Sequence, residues 1–250
     1  MKKEGLAKHN ILEPLKAFTP ARIALGRAGT GIPLKAFQAF KLAHAHARDA
    51  VYSELDIDGL NEKLSVFDLP VIHLHSAAAY REQYLQRPDL GRKLNEESAE
   101  EIKKYYSPCD VAIVIADGLS AMAVNNQVVK LVKSLLALLQ DANFQTAPLT
   151  LVKQGRVAIA DEIGLALGAR LSLIIIGERP GLSSGYSAGV YITYQPKPGL
   201  TDECRNCVSN IHAQGLSGKI AAEKIFYLIQ EAFKYKQTGI TLKDNQLLLP

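Results

Sequence analysis

The feature that most constrains the fold is an alternation of strand and helix patterns in the second half of the chain. Val111 to Ala116 is short, apolar and β-branched, which is typical of a buried strand. Asn125 to Leu139 carries apolar residues at helical spacing and predicts an amphipathic helix. A strand at PLTLVKQ, a helix at Asp161 to Ala169 and a strand at Ser172 to Ile176 follow. This order predicts an α/β fold with a Rossmann-like, doubly wound, mostly parallel sheet.

The part of the chain before this alternation is mixed and mostly helical in its patterns. Leu34 to Leu55 is rich in alanine, and its aromatic and aliphatic residues recur near helical spacing, which predicts a helix. Shorter elements are predicted at Gly59 to Leu64, VIHLHS, Arg81 to Gln86 and Ser98 to Tyr106. We therefore divide the chain into a smaller, mostly helical N-terminal region, residues 1–108, and an α/β domain, residues 109–250.

Composition and charge argue against several classes of protein. Hydrophobic residues make up 48% of the 250 residues, which is enough for a core. No stretch reaches the ~18 apolar residues of a membrane span, and the lysine-bearing N-terminus lacks the apolar segment of a secretory signal. We therefore expect neither a membrane partner nor export. The net charge of +4 is too mild to argue for nucleic acid.

The residues that most often bind metals do not form a ligand set in this sequence. His44 and His46 are two residues apart and point to different sides of the predicted helix. His73 and His75 share one face of a predicted strand, but no carboxylate or thiolate stands at a useful spacing. The three cysteines form no framework of paired spacings and are interpreted as reduced thiols of a cytosolic protein. We predict no metal site.

No self-sufficient catalytic motif is present either. The chain has no Ser-His-Asp order with a nucleophile elbow, no phosphate-binding P-loop and no paired-carboxylate motif. The DGLSA segment after the first strand of the alternation is not a GxGxxG fingerprint, so a nicotinamide dehydrogenase is disfavoured. We predict no catalytic residue in this chain.

The stretch from Leu171 to Ile211 concentrates features that suit a ligand. The strand at Ser172 to Ile176 ends in a tight GERPG turn, in which glycines adopt angles that other residues avoid. Glu178 and Arg179 stand at the mouth of this strand, where open α/β sheets bind ligands. A second strand is predicted at Val190 to Tyr194, followed by PKPG and a polar run. By composition alone, an ordinary connection between α/β elements explains the stretch equally well.

Long motifs along the chain carry a resemblance to a known family. GERPGLSS, GVYITY and GLTDECRNCVSNI stand in this order in the second half of the chain, after DVAIVIADGLSAMAV in the centre. TPARIALGRAGTGIP and HAHARDAV stand near the N-terminus. In wording and order these motifs resemble the small subunit of ethanolamine ammonia-lyase, an adenosylcobalamin-dependent enzyme. The resemblance covers about Thr19 to about Phe233.

The resemblance implies a partner, a cofactor and a reaction. In that family adenosylcobalamin lies between a large barrel subunit and the small one, and the carbon–nitrogen lyase converts ethanolamine to acetaldehyde and ammonia. We therefore expect residues 1–108 to dock on a large subunit and residues 109–250 to bind the cobalamin. We expect the chain alone to be inactive, and its location to be cytoplasmic, in a bacterial microcompartment. The chain also lacks D-x-H-x-x-G, so the cofactor's own dimethylbenzimidazole is expected as the lower cobalt ligand.

The resemblance also carries three cofactor-binding residues onto this sequence. They are Val157 in GRVAIADEIG, Glu178 in GERPG and Cys207 in RNCVSN. Val157 is interpreted as the start of a short strand whose backbone meets a corrin side-chain amide. Glu178 would accept hydrogen bonds from amide groups or a ribose hydroxyl, and Cys207 would pack on the corrin edge. Without the resemblance, a core valine and a buried small hydrophobe are the better explanations of Val157 and Cys207.

One hypothesis from a different class stays open at this point. The chain could be a stand-alone α/β domain that binds a nucleotide, or a non-catalytic adaptor. A purified chain mixed with cobalamin, with and without a large subunit, distinguishes the two hypotheses.

Overall fold

The computed structural model describes residues 11–183 and 186–245. Six strands form one sheet, with the spatial order β1-β3-β2-β4-β5-β6. The strands are β1 (Val71–His75), β2 (Cys109–Ala116), β3 (Leu149–Lys153), β4 (Ala169–Gly177), β5 (Ala188–Tyr194) and β6 (Asn206–Ile211). The α-helices are α1 (Leu34–Tyr52), α2 (Ile57–Leu64), α3 (Arg81–Gln86), α4 (Glu96–Lys103), α5 (Ala121–Asp141), α6 (Ile159–Leu167) and α7 (Gly218–Tyr235). The interpretations of the first ten residues, of residues 184 and 185, and of the last five lie outside the described residues.

The predicted α/β class is confirmed, but the sheet is mixed. Strands β1, β3, β2 and β4 are parallel to one another, whereas β5 is antiparallel to β4 and β6 is antiparallel to β5. Only the ten residues 178–187 separate β4 from β5, which is too few for the crossover connection that a parallel neighbour needs. The Rossmann-like, doubly wound description is therefore not confirmed for the sheet as a whole.

Each face of the sheet carries its own apolar layer. Helices α2, α5 and α7 contribute to the layer on one face, and α4 and α6 contribute to the layer on the other. By length and composition α5 could cross a membrane, but eight of its residues are buried in the first layer. A core helix of a globular protein has these properties, and we interpret α5 as one. The two crossover helices of the parallel strands, α5 and α6, thus lie on opposite faces.

The residues before 109 share this sheet. Strand β1 pairs in parallel with β3, from Val71 opposite Leu149 to His75 opposite Lys153. Helix α1 differs from the other long helices, because Ala50 alone is buried among its 19 residues. The segment from residue 18 to residue 33, which precedes α1, forms no helix and no strand longer than an isolated bridge. Residues 11–52 therefore form an exposed arm, and the remaining described residues form the body.

Candidate functional site

A cavity lies at the carboxyl ends of β2 and β4. From β2 the chain passes through α5 to β3 on one side, and from β3 it passes through α6 to β4 on the other side of β2. The direction of the connections therefore reverses between β2 and β4, and such a reversal is where open α/β sheets bind ligands. This β2–β4 cavity has a volume of about 310 Å³. Its lining residues are Tyr84, Gly118, Leu119, Arg156, Val157, Ile176, Gly177, Glu178, Arg179 and Tyr191.

The floor of the cavity depends on two glycines that bring the loops after β2 and β4 into backbone contact. The Leu119 N–H donates to the Gly177 carbonyl at 3.0 Å. A Cβ at Gly118, where φ is +58°, would lie 2.3 Å from that carbonyl oxygen, and a Cβ at Gly177 would lie 2.0 Å from the Ser120 carbonyl oxygen. No side chain fits either gap, so glycine is required at both positions for the two loops to approach this closely.

A buried carboxylate holds the third loop of the cavity, between β3 and α6. Asp117, directly after β2, accepts hydrogen bonds from the Gln154 N–H at 2.8 Å and the Gly155 N–H at 3.1 Å. Burial raises the pKa of Asp117 above its usual value. The Arg81 guanidinium lies 3.8 Å from this carboxylate and donates to the Gly118 carbonyl at 2.9 Å. Asp117 and Arg81 together join the loops that follow β2 and β3.

A buried tyrosine supports the same loop from below. The Tyr84 hydroxyl is buried and donates to the Gly155 carbonyl at 3.1 Å. Burial raises the pKa of Tyr84 well above its usual range, so the hydroxyl stays protonated as a donor. The Cζ atoms of Arg156 and Arg81 lie 4.2 Å and 4.7 Å from the ring centroid, within cation–π distance. This packing fixes the Arg156 side chain at the wall of the cavity.

Glu178 is tied to the antiparallel part of the sheet. Its backbone N–H donates to the Ser187 carbonyl at 2.9 Å, and the Ser187 hydroxyl donates to Oε2 of its carboxylate. The Asn210 N–H donates to Oε1 at 3.4 Å. The carboxylate is half-buried and lines the cavity directly after β4. Its position at the mouth of this strand agrees with the prediction from the sequence.

Val157 also lines the cavity, but the predicted short strand that begins at this residue is wrong. Val157 lies in a turn, and its carbonyl accepts the Ala160 N–H at 3.3 Å as α6 begins. The neighbouring amides are already engaged, because the Gly155 N–H donates to Asp117 and the Arg156 N–H donates to the Gly91 carbonyl. No sheet ladder is therefore available to this segment.

Cys207 reaches the cavity through a neighbour. It lies in β6, directly opposite Tyr191 of β5, which lines the cavity. The residue is exposed at the edge of the sheet, but partial burial of its thiol raises the pKa, and the Glu178 charge adds to this rise. Burial, together with Cys207, raises the pKa of Tyr191 to about 12. Of the three residues proposed from the resemblance, Val157 and Glu178 thus line the cavity, whereas Cys207 does not and lies beside Tyr191.

Several residues of this site could not be assigned a role from the sequence. Arg156 stands inside the quoted motif GRVAIADEIG, and Asp117 inside the quoted DG turn, but no role was assigned to either. Tyr84 and Tyr191 carried no local signal at all. The single usable clue was the position of Asp117, because a carboxylate directly after a buried strand faces the carboxyl edge of the sheet.

The exposed arm touches the loop that carries Glu178. The Arg22 guanidinium donates to the Leu182 carbonyl at 3.0 Å, and the Ser183 hydroxyl donates to the Pro20 carbonyl at 3.3 Å. These contacts bring TPARIALG of the arm against GERPGLSS of the body. Two motifs that are about 160 residues apart in sequence are therefore neighbours in space.

The two histidines of β1 are hydrogen-bonded to polar neighbours rather than to each other. His73 Nε2 is hydrogen-bonded to the Asn61 side chain at 3.1 Å, and His75 Nδ1 to the Ser76 carbonyl at 2.8 Å. Across residues 11–183 and 186–245, no three His, Cys, Asp or Glu side chains converge as metal ligands.

Comparison with known proteins agrees with the resemblance over almost the whole chain. A protein-family model described as "Ethanolamine ammonia-lyase light chain (EutC)" matches residues 9–243. The chain is 49% identical over 235 residues to an ethanolamine ammonia-lyase small subunit of Pseudomonas putida, a match that covers 92% of this chain and 86% of the relative. It is 49% identical over 243 residues to that of Azotobacter vinelandii, which covers 96% and 90%. It is 47% identical over 249 residues to that of Pseudomonas fluorescens, which covers 98% and 91%. The chain therefore belongs to the family of ethanolamine ammonia-lyase small subunits.

Proposed function

We propose that this chain holds adenosylcobalamin at the β2–β4 cavity of an ethanolamine ammonia-lyase that it forms with a large subunit. The reaction, from ethanolamine to acetaldehyde and ammonia, follows from the family. The observation that carries the cofactor site is the convergence of Val157, Glu178 and the Tyr191–Cys207 pair around one cavity. These residues lie on four different segments, and they meet where open α/β sheets bind ligands.

The chemistry of the cavity fits a corrinoid. The corrin rim carries amide side chains, which donate to carboxylates such as Glu178. The paired glycines hold the loops after β2 and β4 together, so the floor of the cavity consists of closely packed backbone. At about 310 Å³ the cavity is at the small end for drug-sized ligands, so it receives part of a corrinoid and leaves the rest to a partner.

In this proposal the residues of this chain bind the cofactor and orient it. Adenosylcobalamin supplies the radical chemistry when it is bound. Glu178 accepts amide protons from the cofactor, Val157 packs at the turn before α6, and Tyr191 carries Cys207 against the cavity wall. The residues that contact ethanolamine belong to the large subunit, so we expect no deamination by this chain alone, with or without added cofactor.

The arm is the proposed docking segment for the large subunit. Leu34, Phe37 and Phe40 of α1 are 69%, 46% and 41% exposed. Apolar side chains this exposed on one helix are typical of a surface that a partner covers. An amphipathic helix is also stabilised chiefly by packing of its apolar face, and among the described residues α1 buries only Ala50. Within the docking region expected at residues 1–108, the arm is therefore the part that we propose to contact the large subunit. Strand β1 and Tyr84 belong instead to the body, in which residues 109–250 supply most of the proposed cofactor site.

The test of the cofactor site is Glu178→Gln in the assembled two-subunit enzyme. Loss of a charge-assisted hydrogen bond costs about 1.5–3 kcal/mol, which predicts a ~10- to 150-fold increase in the cobalamin dissociation constant. The ethanolamine Michaelis constant should stay nearly unchanged. Glu62→Gln, at an exposed position on α2, is the control and should change neither constant. A lower ethanolamine affinity with unchanged cobalamin affinity would show that Glu178 is not a cofactor residue.

The competing hypothesis of a stand-alone nucleotide-binding or adaptor domain has its own test. Purified chain is titrated with cobalamin and with ATP, in the presence and absence of the large subunit. A cobalamin spectral change that needs both subunits supports the proposed function. ATP binding by the lone chain, with no response to cobalamin in the pair, would favour the alternative.

We also propose a cytoplasmic location inside a bacterial microcompartment. The support is the chemistry of the family's product, since a shell retains volatile acetaldehyde. Deletion of residues 1–17 tests whether this segment directs encapsulation. If the truncated chain is still enclosed, the segment has no such role.

A further inference from the structure

The β2–β4 cavity carries positive charge that the proposed function does not yet use. Arg156 and Arg179 line it, together with a single carboxylate, that of Glu178. Glu178 already accepts hydrogen bonds from Ser187 and Asn210. Within residues 11–183 and 186–245, neither arginine forms an ion pair with a carboxylate. The cavity therefore offers guanidinium donors to an anionic group of its ligand.

Arg156 is the better placed of the two arginines. Its guanidinium stacks on the buried Tyr84 ring, with Cζ 4.2 Å from the centroid, and Nη2 donates to the Tyr84 carbonyl at 3.0 Å. Its backbone N–H donates to the Gly91 carbonyl at 2.7 Å. A Cβ at Gly91 would lie 2.7 Å from Cγ of Arg156, so this glycine leaves room for the arginine stem. Arg179, in contrast, is exposed.

Part of the Arg156 guanidinium is left without a hydrogen-bond partner by these contacts. Nη2 is the one guanidinium nitrogen of Arg156 with a hydrogen-bond partner among the described residues, and Nε is buried without one. A guanidinium held in one plane with free donors suits the oxygens of a phosphate, which it contacts through two N–H groups at once. Helix α5 adds to the positive potential, because it begins two residues after the cavity-lining Leu119 and has no acidic residue in its first turn.

We propose that Arg156 binds the phosphodiester of the corrinoid's nucleotide loop. This proposal rests on the proposed function. The phosphodiester is the one anionic side group of adenosylcobalamin, whereas the rim amides are neutral. Glu178 and Arg156 then bind different parts of the ligand. The Glu178 carboxylate accepts hydrogen bonds from the rim amides, and the Arg156 guanidinium donates to the phosphate. A free nucleotide has a phosphate of similar chemistry, so the experiment must separate the two sources.

The experiment compares two corrinoids that differ only by the phosphate. Cobinamide has neither phosphate nor base, and cobinamide phosphate adds the phosphate alone. Binding of each to the assembled two-subunit enzyme is followed by its visible spectrum. Arg156→Gln should weaken the binding of cobinamide phosphate ~10- to 150-fold, as expected for the loss of a charged hydrogen bond, and change that of cobinamide less than about twofold. Arg92→Gln, at an exposed position, is the control.

Two further variants protect this test against a folding defect. Arg156→Lys keeps the positive charge and the apolar stem but loses the planar fork, so it should recover part of the affinity for cobinamide phosphate. Gly91→Ala leaves Arg156 in the sequence but displaces its stem, and should again weaken cobinamide phosphate more than cobinamide.

Other results of this experiment would overturn either the role of Arg156 or the proposed function. An equal loss for both corrinoids in Arg156→Gln would mean that Arg156 only shapes the cavity, and would overturn the proposal. ATP binding that Arg156→Gln abolishes, with corrinoid binding intact, would assign the phosphate to a free nucleotide and would also overturn it. If the unaltered enzyme binds neither these corrinoids nor adenosylcobalamin, the proposed function itself fails.

Discussion

Helices α1 and α5 are similar in length, 19 and 21 residues, but they lie in opposite surroundings. Helix α5 buries eight side chains in the layer that it shares with α7 and the sheet, whereas α1 buries Ala50 alone. Helical periodicity is present in both segments, and it predicts a helix for both. Periodicity does not say whether the complementary apolar surface belongs to the same chain. The difference teaches that the arm and the body complete their packing in different ways, the body within this chain and the arm, in our proposal, on the large subunit.

The largest difference in stability between the body and the arm should come from removing a buried charge in the body. Arg205 Nη2 donates to Asp161, and each side chain is 1% exposed. Asp161→Ala leaves the buried Arg205 cation with only the exposed carboxylate of Asp202, 3.7 Å away, so we expect a loss of about 3–5 kcal/mol in the free energy of unfolding, measured in urea.

The matched control lies in the arm. Lys16 pairs with Glu13 at 2.9 Å, but the two side chains are 43% and 56% exposed. Lys16→Ala should leave the urea midpoint unchanged, because an exposed ion pair contributes little. Equal losses in Asp161→Ala and Lys16→Ala would remove the contrast between arm and body.

The next largest difference in stability should come from truncating apolar side chains on α5 and on α1. Leu135 of α5 is fully buried, and Leu135→Ala should cost about 2–5 kcal/mol of unfolding free energy through lost burial and a residual cavity. Leu42 of α1 is 58% exposed, and Leu42→Ala should stay within about 0.5 kcal/mol. A cost for Leu42→Ala as large as that for Leu135→Ala would mean that α1 is packed within the chain after all.

The smallest effect should appear only when the partner is present. Phe37→Ala should not change the stability of the isolated chain but should weaken its association with the large subunit by about 1–2 kcal/mol, a ~5- to 30-fold change, as expected for a buried aromatic anchor. Titration calorimetry with the purified large subunit measures this change. Gln38→Ala, at an exposed neighbouring position, is the control. Unchanged association of the Phe37→Ala chain would place the large subunit elsewhere on the molecule.

Much of the fold could be predicted because buried strands and amphipathic helices leave strong local patterns. Strand β6 was missed, since Asn206 to Ile211 is mostly polar and buries only Val208 and Ile211, as an edge strand can. The strand predicted at Val157 failed for the opposite reason. Its apolar residues looked like a strand, but contacts from Asp117 and Gly91, distant in sequence, had already engaged the neighbouring amides.

The residues of the site also differ in whether the local sequence indicates them. Glu178 could be proposed because it directly follows a strand, which is a local signal. Arg156 could not, because its placement depends on Tyr84, 72 residues earlier in the chain. A residue whose role depends on contacts with residues distant in sequence leaves no local pattern in a single sequence.

If the arm docks on the large subunit and the cavity binds cobalamin, as we propose, the contacts between the arm and the loop after β4 couple subunit assembly to cofactor binding. The Arg22–Leu182 and Ser183–Pro20 hydrogen bonds attach the proposed docking segment to the loop that begins with Glu178. A large subunit that orders the arm therefore also orders part of the cavity wall. Thermodynamic linkage is reciprocal, so the factor by which the large subunit tightens cobalamin binding must equal the factor by which cobalamin tightens subunit association. We expect the apoenzyme to dissociate into subunits more readily than the holoenzyme.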